Sequence, residues 1–123
     1  ASEMIRGFDA VVDALDNISS RKILERACEA ENIPLVHGAI AGWNGQVSVV
    51  MPGDRTLAAV YEGEEEKGEE VLTGNPYFTP AVVSAIEVAE TVKLLLAREG
   101  SLISRMLTID LLHDEYETID FGE

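Results

Sequence analysis

A mixed α/β domain is what this sequence predicts: one βαβ unit, then antiparallel strands and one long apolar helix. Three observations lead there. Short apolar runs at 8–15 and 33–36 flank an amphipathic stretch of about a dozen residues. An Asn-Gly pair sits between two further β-compatible runs. Residues 80–98 are apolar around most of a helical circumference.

Taken in order, Phe8–Leu15 reads as a buried parallel strand, because it is short and apolar. Asp16-Asn17 offers capping side chains to the helix that follows. In that helix Ile23, Leu24, Ala27 and Cys28 share one face, which leaves Arg21, Lys22, Glu25, Arg26 and Glu29 for water. Asn32 closes it, and Ile33–Val36 starts a second strand, parallel to the first as a βαβ crossover requires. Asn44-Gly45 is expected to turn a hairpin that joins His37–Ala41 to Gln46–Met51, with Pro52-Gly53-Asp54 ending it. Leu57–Tyr61 is expected as one more short strand.

Between Glu62 and Glu70 lie six glutamates, two glycines and one lysine. With nothing to bury, residues 62–75 are expected to form an acidic, flexible loop. Thr79-Pro80 marks a helix start, with Thr as cap and Pro at the first helical position, and Gly100 stops the helix near Arg98. Met106–Leu112 and Tyr116–Phe121 then flank His113-Asp114-Glu115 as an antiparallel hairpin. No internal repeat is present, and the 123 residues suit a single domain. A lone βαβ unit at the start looks like the end of a larger parallel sheet. The opening Ala1-Ser2-Glu3-Met4, without an initiator, points to a natural protein that begins earlier.

Nine basic residues against 23 acidic ones give a net charge of −14. Such a surface repels phosphate backbones and anionic lipid, so neither nucleic acid nor membrane is an expected partner. The longest apolar run is far short of the roughly 18 residues that span a bilayer. One cysteine, Cys28, excludes an internal disulfide and fits a reducing cytoplasm. It lies on the apolar helix face and reads as a core residue.

Gly38, Gly42 and Gly45 lack both the spacing and the following helix of a phosphate loop, and belong to the hairpin. His37 and His113 read as structural or surface histidines. Asp16 stands apart, because it lies where a parallel strand gives way to a helix, the place where ligands gather in open α/β sheets. Its carboxylate can hold a Mg²⁺ that bridges nucleotide phosphates, or it can simply cap the helix.

The run Val12-Asp13-Ala14-Leu15-Asp16-Asn17-Ile18-Ser19-Ser20-Arg21 resembles the Asp-x-x-Asp-Asn-x-x-x-Arg segment of the ThiF/MoeB/HesA enzymes, bacterial relatives of the ubiquitin-activating enzymes. Further matches follow in the family's order. Ile33-Pro34-Leu35-Val36-His37-Gly38-Ala39 is similar to its I-P-L-V-x-G-A, and Gly45-Gln46-Val47 to its G-Q-V. Pro80-Ala81-Val82-Val83 leading to Glu90-Thr91-Val92-Lys93-Leu94-Leu95 is similar to its P-x-V and E-x-x-K-x-L helix, and Ile109-Asp110 to its L-x-x-D ending.

The resemblance implies a partial ThiF-like fold, with 1–123 forming the carboxyl-terminal half of an adenylating domain. It implies MgATP-dependent adenylation of the C-terminal glycine of a small ubiquitin-like sulfur carrier, in a cytoplasmic homodimer. The family's Mg-ATP role falls on Asp16, with Asn17 beside it as a nucleotide-site residue. Asn17 and Arg21 also match motif positions with structural roles. The family's glycine-rich loop and the rest of its phosphate site lie upstream, so this chain alone is expected to be inactive. Many members bind zinc through two Cys-x-x-Cys pairs. Here no such cysteines exist, so zinc is not expected and a cysteine transfer step is without its residue. Two rivals stand beside this reading. One is a non-catalytic dimerisation or carrier-docking module of the same fold. The other, half of a nicotinamide-dependent oxidoreductase, lacks the dinucleotide fingerprint.

Overall fold

The computed structural model describes residues 2–15, 18–54, 76–97 and 100–121. Asp16, Asn17, the expected strand at 57–61 and the glutamate block all lie outside these residues. A short helix, α1 (Ser2–Ile5), precedes β1 (Val11–Val12), α2 (Ile18–Ala30), β2 (Leu35–Ala41) and β3 (Asn44–Val50). Then come α3 (Phe78–Leu95), β4 (Arg105–Asp110) and β5 (Glu115–Asp120). The five strands form one sheet in sequence order. β1 pairs parallel to β2, and every later neighbour is antiparallel. This is the mixed α/β arrangement the sequence predicts, with a βαβ unit grafted onto a meander.

Several boundaries differ from expectation, each for a physical reason. The first strand shrinks from 8–15 to two residues, because only Val11 and Val12 find partners, Leu35 and Val36, on β2. The expected strands at 33–36 and 37–41 merge into the single strand β2, which starts only at Leu35. The hairpin turns on Gly42 and Trp43, not on Asn44-Gly45: Ala41 already pairs with Asn44, and Gly42 supplies the positive φ of 61° that the tight turn needs. Gly45 lies inside β3 instead.

Helix α2 ends where Asn32 adopts a φ of 60°. Asn32 N–H then bonds to the Glu29 carbonyl at 3.1 Å and Ile33 N–H to the Cys28 carbonyl at 2.8 Å, and buried Ile33 seals this left-handed cap. α3 begins two residues before Pro80, and Thr79 does not cap it: its hydroxyl is buried, with no hydrogen-bond partner among the described residues. Pro80 is still tolerated, because the N–H groups of a helix's first turn have no partner inside the helix. The helix stops at Leu95, with Ala97 at a φ of 55°, ahead of the expected end near Arg98. In the last hairpin Asp110 draws the turn in by accepting from the N–H groups of Leu112 (3.1 Å) and His113 (3.2 Å). Exposed His113 donates to the same side chain.

The core has two parts. One, under α2, gathers Cys28, Leu35 and Val50. The other, under α3, gathers Val47, Val49, Val83, Leu102 and Ile109. Alternation along β2 and β3 accounts for the division, since neighbouring residues point to opposite faces. α3 buries Thr79, Val83, Glu87 and Glu90, spaced as one helical stripe, while Val88, Val92 and Leu95 are exposed. Buried Glu90 takes the Leu102 N–H at 2.8 Å and the Lys93 ammonium at 2.7 Å, and Lys93 also reaches the Gly100 carbonyl. The E-x-x-K pair therefore ties the end of the helix to the segment leading into β4.

Candidate functional site at the carboxyl end of the first strand

Asp13 follows β1 directly, and its N–H still bonds to the Val36 carbonyl at 2.8 Å. That extension of the parallel pairing sets Asp13 beside His37, and both side chains are fully buried. His37 Nδ1 lies 2.7 Å from Asp13 Oδ2, and Arg21 Nε lies 3.3 Å from the same oxygen. Asp13 Oδ1 accepts the Leu15 N–H at 2.9 Å. The Arg21 guanidinium meanwhile donates to the Leu15 carbonyl. On the far side of the imidazole, the Gln46 amide stands 3.0 Å from His37 Nε2.

Burial settles the protonation pattern. It pushes the His37 pKa down, against the pull of Asp13, so the ring is neutral. A neutral ring donates from one nitrogen and accepts at the other. With Asp13 as acceptor, Nδ1 carries the proton and Nε2 receives the Gln46 N–H. Hydrogen bonds run from Gln46 on β3 through His37 on β2 to Asp13 after β1, and Arg21 at the start of α2 meets Asp13 as an ion pair.

Two expectations about α2 are corrected here. Arg21 and Glu25 do not face water: they are 7% and 5% exposed. Ile23 is not on the buried face but about half exposed. The buried stripe runs through Arg21, Glu25 and Cys28, spaced by four and three, because Asp13 needs a cation more than the core needs Ile23. Cys28 is buried as expected. Burial, followed by the charges of Glu25 and Asp13, raises its thiol to about 11, so it stays protonated at neutral pH.

Across the sheet, α3 sets Glu87 over Gly38. A Cβ at Gly38 would fall 2.4 Å from the Glu87 carboxyl carbon, so glycine is what admits the side chain. Glu87 is 7% exposed, and its Oε2 has no hydrogen-bond partner among the described residues. Desolvation, and then the charge of Asp13, pushes it up to about 7. The unfolded chain loses that proton near 4.5. Between the two values the folded state holds more protons, so stability falls as the pH rises, and the full cost stands above pH 7. Glu87→Gln is therefore expected to match the parent near pH 5 and to exceed it near pH 8 by about 1–2 kcal/mol, after allowance for screening. Urea unfolding at the two pH values reads this directly. A variant less stable than the parent at pH 8 would show that the charged form is held by a favourable partner. His37 acts in the opposite sense: neutral when folded, it lets the unfolded chain gain protons below about 6.5, which lowers stability there.

Sequence reasoning singled out Asp16 and Asn17 and passed over Asp13, His37 and Glu87 as site residues. The structure brings Asp13, Arg21, His37 and Gln46 together immediately before Asp16. His113 belongs to the distant β4–β5 turn. The signal that was available is the first Asp of Asp-x-x-Asp-Asn, which sits at the strand end where a buried charge needs a partner. For Glu87 it is a charged residue on the helix stripe defined by Thr79 and Val83. Among the described residues no three His, Cys, Asp or Glu side chains come together as a metal-binding group.

Together, the fold and this junction define an open α/β arrangement of the kind that receives ligands where a parallel strand ends. The chain belongs to the ThiF family, whose model matches residues 1–123. The SAMP-activating enzyme E1 of Haloferax volcanii is 34% identical over 122 residues, covering 97% of this chain and 45% of that protein. A molybdopterin-synthase adenylyltransferase of Haemophilus influenzae is 32% identical over 114 residues, covering 89% of this chain and 46% of its own. The chain thus spans about half the length of these curated relatives. Among solved structures, Escherichia coli MccB with ATP superposes with a TM-score of 0.72 at 12% identity, over 98% of this chain and 39% of that one. At that identity the likeness is one of fold. Among the described residues no helix is long and apolar enough to cross a membrane.

Proposed function

We propose that this chain is the carboxyl-terminal part of an ATP-dependent adenylyltransferase that activates the C-terminus of a small ubiquitin-like sulfur-carrier protein in the cytoplasm. The observation that carries the reading is the similarity to an activating E1 enzyme along 97% of the chain, the Asp-x-x-Asp-Asn-x-x-x-Arg segment included. The geometry supports it. Both oxygens of Asp13 are occupied by Leu15, His37 and Arg21, so Asp13 serves as a scaffold, and the Mg-ATP role that the motif implies is left to Asp16. A carboxylate at that place is the hard oxygen donor that Mg²⁺ takes, and Asn17 adds a neutral polar group beside it. When bound, Mg²⁺ neutralises charge on the nucleotide phosphates. The chain's own part is to hold Asp16 where the phosphates lie, so that positioning and charge compensation lower the barrier.

Asp16→Asn in the full-length protein is expected to leave folding nearly intact, because an amide can serve as a helix cap as well as a carboxylate can, and to cut ATP–pyrophosphate exchange by about tenfold or more. The assay pairs the protein with MgATP and a ubiquitin-like protein of the same organism that ends in Gly-Gly. Exchange at the parent rate would return Asp16 to a capping role. The exposed stripe of Val88, Val92 and Leu95 on α3 supports a homodimer, and it equally suits the second reading, a dimerisation or carrier-docking module without chemistry. A full-length protein that dimerises but never exchanges pyrophosphate would decide for that module.

A further inference from the structure

We propose that the outer edge of β5 is a docking edge for an extended strand of a partner protein, one that alternates apolar with polar residues and ends in two basic residues two positions apart. This edge lies across the sheet from the junction at Asp13, and the proposal does not depend on the adenylation reading.

β5 pairs with β4 along its whole length, and among the described residues no strand lies beyond it. The ladder fixes which backbone groups are left over. Phe121 N–H bonds to the Ser104 carbonyl at 2.8 Å. In an antiparallel pair the bonding residues alternate, so Ile119 and Glu117 also turn their N–H and C=O groups toward β4. Tyr116 and Thr118 turn theirs outward, into solvent. Side chains alternate between the two faces in the same way. Tyr116 and Thr118 share the face that carries α3, since Tyr116 pairs with Ile109, and Ile109 with Gly45 beneath Val83. Glu115, Glu117, Ile119 and Phe121 share the other.

All six residues of β5 are exposed, as is Phe121 just past them. Acidic groups alone would serve to keep a sheet edge from pairing with its own kind. They do not account for Tyr116, Ile119 and Phe121, which stay 61%, 41% and 45% exposed on the two faces. An added strand would set its own side chains beside these on both faces at once. Charge decides the occupant. β5 carries Glu115 and Glu117 and no Lys or Arg, in a chain of net charge −14. A second copy would bring the same glutamates into one short ladder, where like charges destabilise the pairing. A strand with basic residues opposite Glu115 and Glu117, and apolar ones opposite Tyr116, Ile119 and Phe121, complements each position. Main-chain bonds to Tyr116 and Thr118 then supply affinity, and the side chains select the partner.

The probe is the peptide Val-Thr-Val-Thr-Lys-Val-Lys, capped at both ends, which runs antiparallel from Phe121 to Glu115. Titrated into the full-length protein, it is expected to slow hydrogen exchange of the Tyr116 and Thr118 amides by about tenfold and to leave those of Glu117 and Ile119 nearly unchanged. N-methyl groups on the two peptide residues opposite Tyr116 and Thr118 keep the charge and remove the main-chain donors, so binding should weaken by about tenfold or more. Thr118→Pro removes an outward N–H and no bond to β4, and should weaken the unmethylated peptide as much, while Thr118→Ala binds as the parent does. Unchanged exchange at Tyr116 and Thr118 would overturn the proposal. Equal binding of the methylated peptide, or of one with Glu in place of Lys, would do so too, because neither main-chain pairing nor charge would then matter. Self-association of the parent that Thr118→Pro abolishes would give the edge to a second copy instead. Methylation leaves the protein untouched, so that comparison decides even where Thr118→Pro does not fold.

Discussion

Asp13→Ala is expected to cost this domain about 3–5 kcal/mol, the range for breaking a buried ion pair from one side. The replacement leaves Arg21, only 7% exposed, without the carboxylate beside it, and takes from His37 the acceptor of its Nδ1 proton. It also frees the Leu15 N–H. Against a total stability of about 5–15 kcal/mol, a loss of that size moves the urea midpoint far toward zero, and at the low end of the range it unfolds the chain outright. Most of the cost is a buried guanidinium that has lost its neighbouring carboxylate rather than the worth of the pair. Removing Arg21 as well, in Asp13→Ala/Arg21→Met, should therefore recover at least half of it, because both charges leave the interior together. Equilibrium urea unfolding of the parent, the two single variants and the double variant gives the coupling. A loss below about 1 kcal/mol for Asp13→Ala, with no recovery in the double variant, would mean that the pair is hydrated rather than buried.

That pair also marks where sequence reading reached its limit. The βαβ unit, the antiparallel meander and the long helix were legible because apolar runs, turn residues and caps recur at the periods those elements need. Asn32 was legible as the end of α2 because an asparagine after an amphipathic run tolerates a left-handed φ. Sorting α2 by residue type alone placed Arg21 and Glu25 in water, although both are i, i+4 neighbours on the stripe that ends at Cys28. Nothing in a helical wheel shows that a buried Asp13 waits beneath the first of them. The hairpin turn moved for a similar reason. Asn44-Gly45 is the stronger local signal, yet pairing Ala41 with Asn44 keeps Val47 and Val49 on one core and Val50 on the other, and Gly42 can make the turn. Asp16 became a site residue through resemblance to a family, not through pattern, since a helix cap and a metal ligand look alike in one sequence.

Gly45, displaced from the turn, has a separate task that yields the last prediction. Built onto its backbone, a Cβ would stand 2.5 Å from Val83 Cγ2 on α3. At Gly38 the corresponding clash is with the carboxyl end of Glu87, a long side chain that can swing aside. Val83 cannot swing, because a β-branched residue in a helix has one strongly preferred rotamer, and here it is 4% exposed within the α3 core. Gly45→Ala must therefore lift the helix from the sheet, at a cost of about 2–3 kcal/mol, whereas Gly38→Ala should cost about 1 kcal/mol or less. Since φ at Gly45 is not positive, alanine suits its backbone and the cost belongs to the contact. Trimming the opposing side chain tests this. Val83→Ala alone opens a cavity and destabilises, but combined with Gly45→Ala it returns the lost volume from the other side. The double variant should be more stable than the sum of the single losses predicts by about 1 kcal/mol or more. Urea unfolding of the four proteins reads that coupling. Strict additivity would mean that α3 does not rest on Gly45, and the G-Q-V segment would then lose its packing explanation.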